Sequence, residues 1–149
     1  MENRKYELAE DDFIIYKGKK LYRIRALRTI SKIVSKGALG GYVEGYYNLS
    51  QEGDCWIFND AMVYGNAIVE DGAVVGEDTK VFGNARVKDI AMVVGSANIY
   101  GNASIEGGSL VRVGKFYDNV AIKNSTDISI PVECHNNTVI STAIKYPVS

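Results

Sequence analysis

Three side chains in this 149-residue chain belong to the types that most often act as nucleophile, base or metal ligand near neutral pH: His135, Cys55 and Cys134. One histidine and two cysteines fall short of the His-rich or Cys-rich set that holds zinc, so no metal is expected. His135 is the sole candidate general base, but it stands next to Asn136 and Asn137 in a stretch that reads as a polar turn. Gly108 and Gly114-Lys115 enclose five residues rather than four, with Phe116 where a phosphate loop needs Ser or Thr. Asp60, Asp71, Asp78 and Asp89 fall where the chain must turn, a normal place for Asp, and a calcium role is not expected. No cofactor is implied by these residues.

The elements that must hold these groups are bounded by composition. The chain is 46% hydrophobic with a net charge of −1, which suits one folded domain and excludes a disordered chain. It holds no run of 18 apolar residues, so no membrane-spanning helix is expected. The start, MENRKYELAEDD, is polar and does not read as a leader. Reduced thiols in a cytoplasmic protein are therefore expected. The small net charge is an average. Residues 1–12 carry net −3, residues 13–43 carry +8 with no acid, and residues 44–149 carry −6. The basic block contains Lys17, Lys19, Lys20, Arg23, Arg25 and Arg28. It can complement the acidic body or bind a partner. Nucleic acid is not expected, because few aromatics interleave with the charges and no recognition helix is evident.

The middle of the chain repeats every six residues. Ile57, Val63, Val69, Val75, Val81, Val87, Val93, Ile99, Ile105 and Val111 are all β-branched aliphatics. Two residues before each stand Cys55, Ala61, Ala67, Ala73, Thr79, Ala85, Ala91, Ala97, Ala103 and Ser109, all small. Small–x–aliphatic alternates as a strand does, placing both columns on one side. Six residues are enough for a short strand and a tight corner, and Gly, Asn and Asp crowd the corners. Tyr64-Gly65-Asn66-Ala67, Phe82-Gly83-Asn84-Ala85 and Tyr100-Gly101-Asn102-Ala103 recur every 18 residues. Three hexapeptides thus make one coil, and like residues stack from coil to coil.

This pattern resembles the hexapeptide-repeat family, whose fold is a left-handed parallel β-helix of triangular section. The handedness is implied by the resemblance alone, because ordinary parallel crossovers are right-handed. The fold expected is all-β: a left-handed parallel β-helix with β-hairpin caps at both ends. Residues 1–42 read as a basic hairpin and cap, 43–126 as the β-helix (regular over 55–114), and 127–149 as a C-terminal hairpin. The first hairpin is expected from strand residues 13–16 and 21–24 around Lys17-Gly18-Lys19-Lys20. The second would fold 128–133 on 138–146 about Cys134-His135-Asn136-Asn137. Beyond Val111 the register fails, so a distorted last coil is expected.

Outward positions sort onto three faces. The first should carry an aromatic ladder of Tyr64, Phe82 and Tyr100. The second should carry alternating charges from Glu70, Lys88 and Glu106. The third offers Trp56, Phe58, Val74, Met92, Val94 and Leu110, an apolar stripe that should not stand in water. Either the N-terminal hairpin folds over it or it forms an interface. The family's members are often trimers packed through β-helix faces, so the resemblance implies a homo-oligomer, trimer or dimer.

Tyr6-Glu7-Leu8, Leu21–Leu27, Gly40-Gly41-Tyr42-Val43-Glu44, Asn48–Gly53 and Trp56, in that order, are similar to a group of small bacterial and phage hexapeptide-repeat proteins. Such proteins are often described as transferases from their fold. In the acyltransferases of the wider family a histidine on a coil or extruded loop deprotonates the acceptor, with an acyl-CoA donor. Residues 57–116 hold no histidine, and that role does not transfer residue by residue; only His135 is left for it. The expected function is a non-enzymatic protein-binding or structural module, one form of which is a phage inhibitor of a host protein. The alternative is an acyltransferase using His135 and acyl-CoA.

Overall fold

A computed structural model describes residues 4–141. The chain forms a parallel β-solenoid in which three stacks of two-residue strands alternate with tight corners. The first face runs through Tyr42-Val43, Met62-Val63, Lys80-Val81, Asn98-Ile99, Lys115-Phe116 and Glu133-Cys134, all parallel. The second joins Ile68-Val69, Arg86-Val87, Ser104-Ile105, Ala121-Ile122 and Val139-Ile140. The third joins Trp56-Ile57, Val74-Val75, Met92-Val93, Leu110-Val111 and Asp127-Ile128. Each rung donates to the next: Met62 N–H to Thr79 C=O at 3.0 Å, Lys80 N–H to Ala97 C=O at 3.0 Å. The aliphatic column from Ile57 to Val111 and the small column beside it are fully buried and form one core.

The coils continue past Val111, and this corrects the C-terminal reading. Asp127-Ile128, Glu133-Cys134 and Val139-Ile140 pair parallel to the coil before them, so residues 127–140 complete a further coil and not a hairpin. The remainder of the expected second arm, 142–149, lies outside the described residues. The register fails for a local reason. The corner between Val111 and Phe116 is one residue short, after which the six-residue step resumes through Phe116, Ile122, Ile128, Cys134 and Ile140. The body of the helix therefore extends beyond residue 126.

The preceding coil stacks closely on the shortened corner. Gly95, at the corner stacked above it, sits at φ +72°, and a Cβ there would lie 2.0 Å from the Arg112 carbonyl oxygen. Gly95→Ala should destabilise the fold by about 2 kcal/mol or more, combining left-handed strain with that clash. Gly72→Ala, whose Cβ would meet nothing nearer than 3.3 Å at ordinary φ, should cost well under half as much in the same urea titration.

At the N-terminus β1 (Tyr6–Tyr16) and β2 (Lys19–Ala26) form an antiparallel hairpin. Its turn is two residues, Lys17 and Gly18, at φ 50° and 80°, because a right-twisted ribbon closes best on two residues of positive φ. β2 pairs antiparallel with β3 (Leu39–Val43), so the hairpin prolongs the first face to eight strands. Tyr6, Ile24 and Ala26 turn into the core at the open mouth of the solenoid, shielding backbone and apolar surface there. At the far end of the hairpin Ile14, Tyr16 and Leu21 pack on Tyr42, Met62 and Tyr64.

Candidate functional site

The first face carries the ring ladder, and it is longer than the sequence spacing shows. Tyr64, Phe82, Tyr100, Tyr117 and His135 stack with centroids 5.0, 4.8, 4.9 and 5.5 Å apart and interplanar angles of 3°, 3°, 8° and 15°. Tyr16 closes the upper end edge-on to Tyr64 at 5.8 Å. Burial pushes the Tyr64 hydroxyl up to about 12. Tyr117 is also pushed up to about 12, chiefly because its hydroxyl donates to the Glu133 carboxylate. Beside the rings runs an amide ladder: Asn66, Asn84, Asn102 and Asn119 each donate to the next side chain down, ending at the Asn137 oxygen, at 3.1, 3.3, 3.2 and 3.0 Å. His135 is therefore the exposed lower rung of a stack, on the corner that presents the last Asn rung.

Charge on the second face is paired. Arg86 meets Glu70 at 2.8 Å and Lys88 meets Glu106 at 3.6 Å, so two cations each serve one carboxylate. Much of the basic block is also paired within the molecule. Arg23 bonds the Gly40 and Asn59 carbonyls and Asp60, lies 3.8 Å from Asp12, and stacks over Tyr42. Arg25 meets Glu7 at 2.9 Å and Lys19 meets Glu44 at 3.5 Å. Lys20 lies over the rings of Phe13 and Tyr22, and Lys17 over Tyr16. Exposed pairs of this kind add only tenths of a kcal/mol each, but they leave less free charge than the count of bases suggests.

The third face divides in two. Trp56 is covered, with 1% of its surface exposed, because Tyr6 meets it edge-on at 6.2 Å and the strap 30–34 lies alongside. Phe58 packs partly against the same core. Further down, Val74, Val94 and Leu110 are half-buried and Met92 is 43% exposed. Ile90, at the adjoining corner, is 73% exposed. Arg112 and Asp127 end the stripe. The N-terminal segment thus shields the top of this face and not its middle.

One constellation has no signature in the sequence. Lys5 is fully buried under the mouth of the solenoid. Its Nζ donates to the carbonyls of Cys55 at 2.8 Å and Gly53 at 3.2 Å, and lies 3.5 Å from that of Glu52. The Cys55 sulfur is 3.2 Å away and itself faces the Ser50 carbonyl at 3.5 Å. Burial lowers the Lys5 ammonium and raises the Cys55 thiol, so both groups move toward their neutral forms. The nearest sequence signal is the eight-residue step from Leu49 to Ile57, whose two extra residues help supply the carbonyl cradle.

Among the described residues no group of three or more His, Cys, Asp or Glu is placed to hold a metal ion. No described helix is long and apolar enough to cross a membrane. No protein-family model and no curated protein matches the chain.

Proposed function

We propose that the chain is a non-enzymatic protein-binding module of the hexapeptide-repeat, left-handed β-helix type, which joins the third face of one copy to a second copy. One observation carries this reading. Val74, Met92, Val94 and Leu110 form a stripe with Met92 and neighbouring Ile90 open to solvent, bounded by Arg112 and Asp127. An apolar centre with a charged rim is the anatomy of an interface. Packing through a β-helix face is how members of the resembled family assemble, and a symmetric pair needs only this one patch on each copy. Assembly would leave the ring and amide ladders of the first face outward as a flat surface for another protein, a host protein if the phage resemblance holds.

The test is the mass in solution. The wild-type protein should run as a dimer or trimer by sedimentation equilibrium. Met92→Glu with Leu110→Glu should shift it to monomer while thermal unfolding stays cooperative. A monomeric wild type at all concentrations overturns the assembly. Saturable binding of coenzyme A, lost in His135→Ala, would overturn the non-enzymatic reading in favour of acyl transfer.

A further inference from the structure

A lysine with no exposed surface is unusual, since the stem packs well but the charged head loses its water. At the solenoid mouth the cost is met by carbonyls of Glu52, Gly53 and Cys55, which turn inward toward Lys5 Nζ. The sulfur contact is separate from that cradle. Cys55 is fully buried, and its Sγ stands 3.2 Å from the amine nitrogen. Desolvation is the largest influence on the amine and disfavours the ammonium, as Arg28 does, while Cys55, by charge and hydrogen bond, and Asp54 favour it. The amine nitrogen lies in direct contact with the sulfur, and the thiol also faces the Ser50 carbonyl. A desolvated amine and a desolvated thiol in near contact differ from a lone buried cysteine, which is inert.

We infer that Lys5 and Cys55 are a redox pair that closes an N–O–S bridge, Nζ–O–Sγ, with dioxygen as oxidant. The step balances as amine plus thiol plus O2 giving R–NH–O–S–R′ plus water. One N–H bond and the S–H bond break, and N–O and O–S bonds form. Nitrogen and sulfur each lose two electrons, and the four reduce one O2 to the bridging oxygen and one water. Dioxygen is small and apolar, so it can reach the buried pair while the protein stays folded. Four equivalents of an external thiol return the amine and the thiol, releasing one water and two disulfides. The bridge would tie the start of the N-terminal cap to the first coil, closing a loop of some fifty residues between Lys5 and Cys55. The cap would then be fastened in oxidising conditions and released in reducing ones. This goes beyond the binding role and does not depend on it.

The experiment is intact mass spectrometry on the folded Cys134→Ser protein, which removes the half-buried second thiol. Air-saturated protein should show a species heavier by about 14 Da, one oxygen gained and two hydrogens lost, that disappears with dithiothreitol. Proteolytic mapping should place it on linked peptides containing residues 5 and 55. The species should be absent from Lys5→Arg and from Cys55→Ser, and the bridged form should need more urea to unfold than the reduced form. Gains of about 16 or 32 Da on Cys55 alone, a loss of about 2 Da from a direct N–S bond, or no change in the folded protein would each overturn the proposal. The mass and map of the Cys134→Ser protein decide the matter even if the variants at residues 5 and 55 do not fold.

Discussion

Trp56→Ala should lower the free energy of unfolding by about 3–5 kcal/mol and leave the mass of the assembly unchanged wherever the variant is still folded. By its column Trp56 points out from the third face, in register with Val74 and therefore with the stripe assigned to association. Its surroundings say otherwise. The indole is almost wholly buried, meets Tyr6 edge-on, and belongs to the same core as Ile30 and Val34. Tyr6 in turn donates its hydroxyl to the Leu49 carbonyl, holding the cap to the first coil, with its own ionisation driven above the ordinary range by burial. Removing the indole therefore takes away the surface on which the cap and the strap rest. Met92→Ala tests the contrast two coils' worth of stacking away from the mouth. That side chain is nearly half exposed, so truncation should cost about 1 kcal/mol or less in stability and weaken association instead. Urea titrations of both variants, each paired with sedimentation, separate the two roles. Equal loss of stability in both would remove the division of this face into covered and open parts.

Fold and site were legible in the sequence to different degrees. Ten aliphatics at a six-residue step reported the solenoid because each coil buries the same two columns, and periodicity survives without knowledge of long-range contacts. The same counting broke at Val111, where the structure drops one residue and restores the step from Phe116. That single omission hid the last coil, and with it Tyr117 and His135, which stand 17 residues below Tyr100 and then 18 below Tyr117 in the ladder. A pattern reader that allows one gap would have found both. The pairing of the basic block was foreseeable only in total. That Arg23 would reach Asp60, and Arg25 Glu7, depends on how β2 lies against its neighbours. Lys5 was illegible for a plainer reason. Its partners lie 47 to 50 residues along the chain, and no local rule places a lysine ammonium inside a hydrophobic mouth.

The short corner itself yields the other large effect. Phe116 is the one aromatic in the central column otherwise filled by Val and Ile down to Ile128, and it is fully buried. The residue two before it, in the column of small side chains, is Gly114 at φ +116°, where each repeat from Ile57 to Val111 has Ala, Ser, Thr or Cys. The two are coupled by volume. A Cβ on Gly114 would come 3.0 Å from the Phe116 ring and 2.6 Å from the Val132 carbonyl oxygen, so the ring occupies the room a small side chain fills elsewhere. Phe116→Ala should accordingly cost about 3–5 kcal/mol, because both columns would be empty at one level and the stacked backbone cannot collapse into the void. Gly114→Ala should be harmful alone, through the ring, the carbonyl and the positive φ together. In the Phe116→Val background the ring clash is gone while the carbonyl and backbone strain remain. Gly114→Ala should therefore cost less there than in the wild type, by a coupling of about 0.5–3 kcal/mol measured as a double-mutant cycle in urea. Strict additivity would mean that Gly114 is held by its backbone alone. The phenylalanine would then be an incidental filler and not the side chain that compensates for the missing residue.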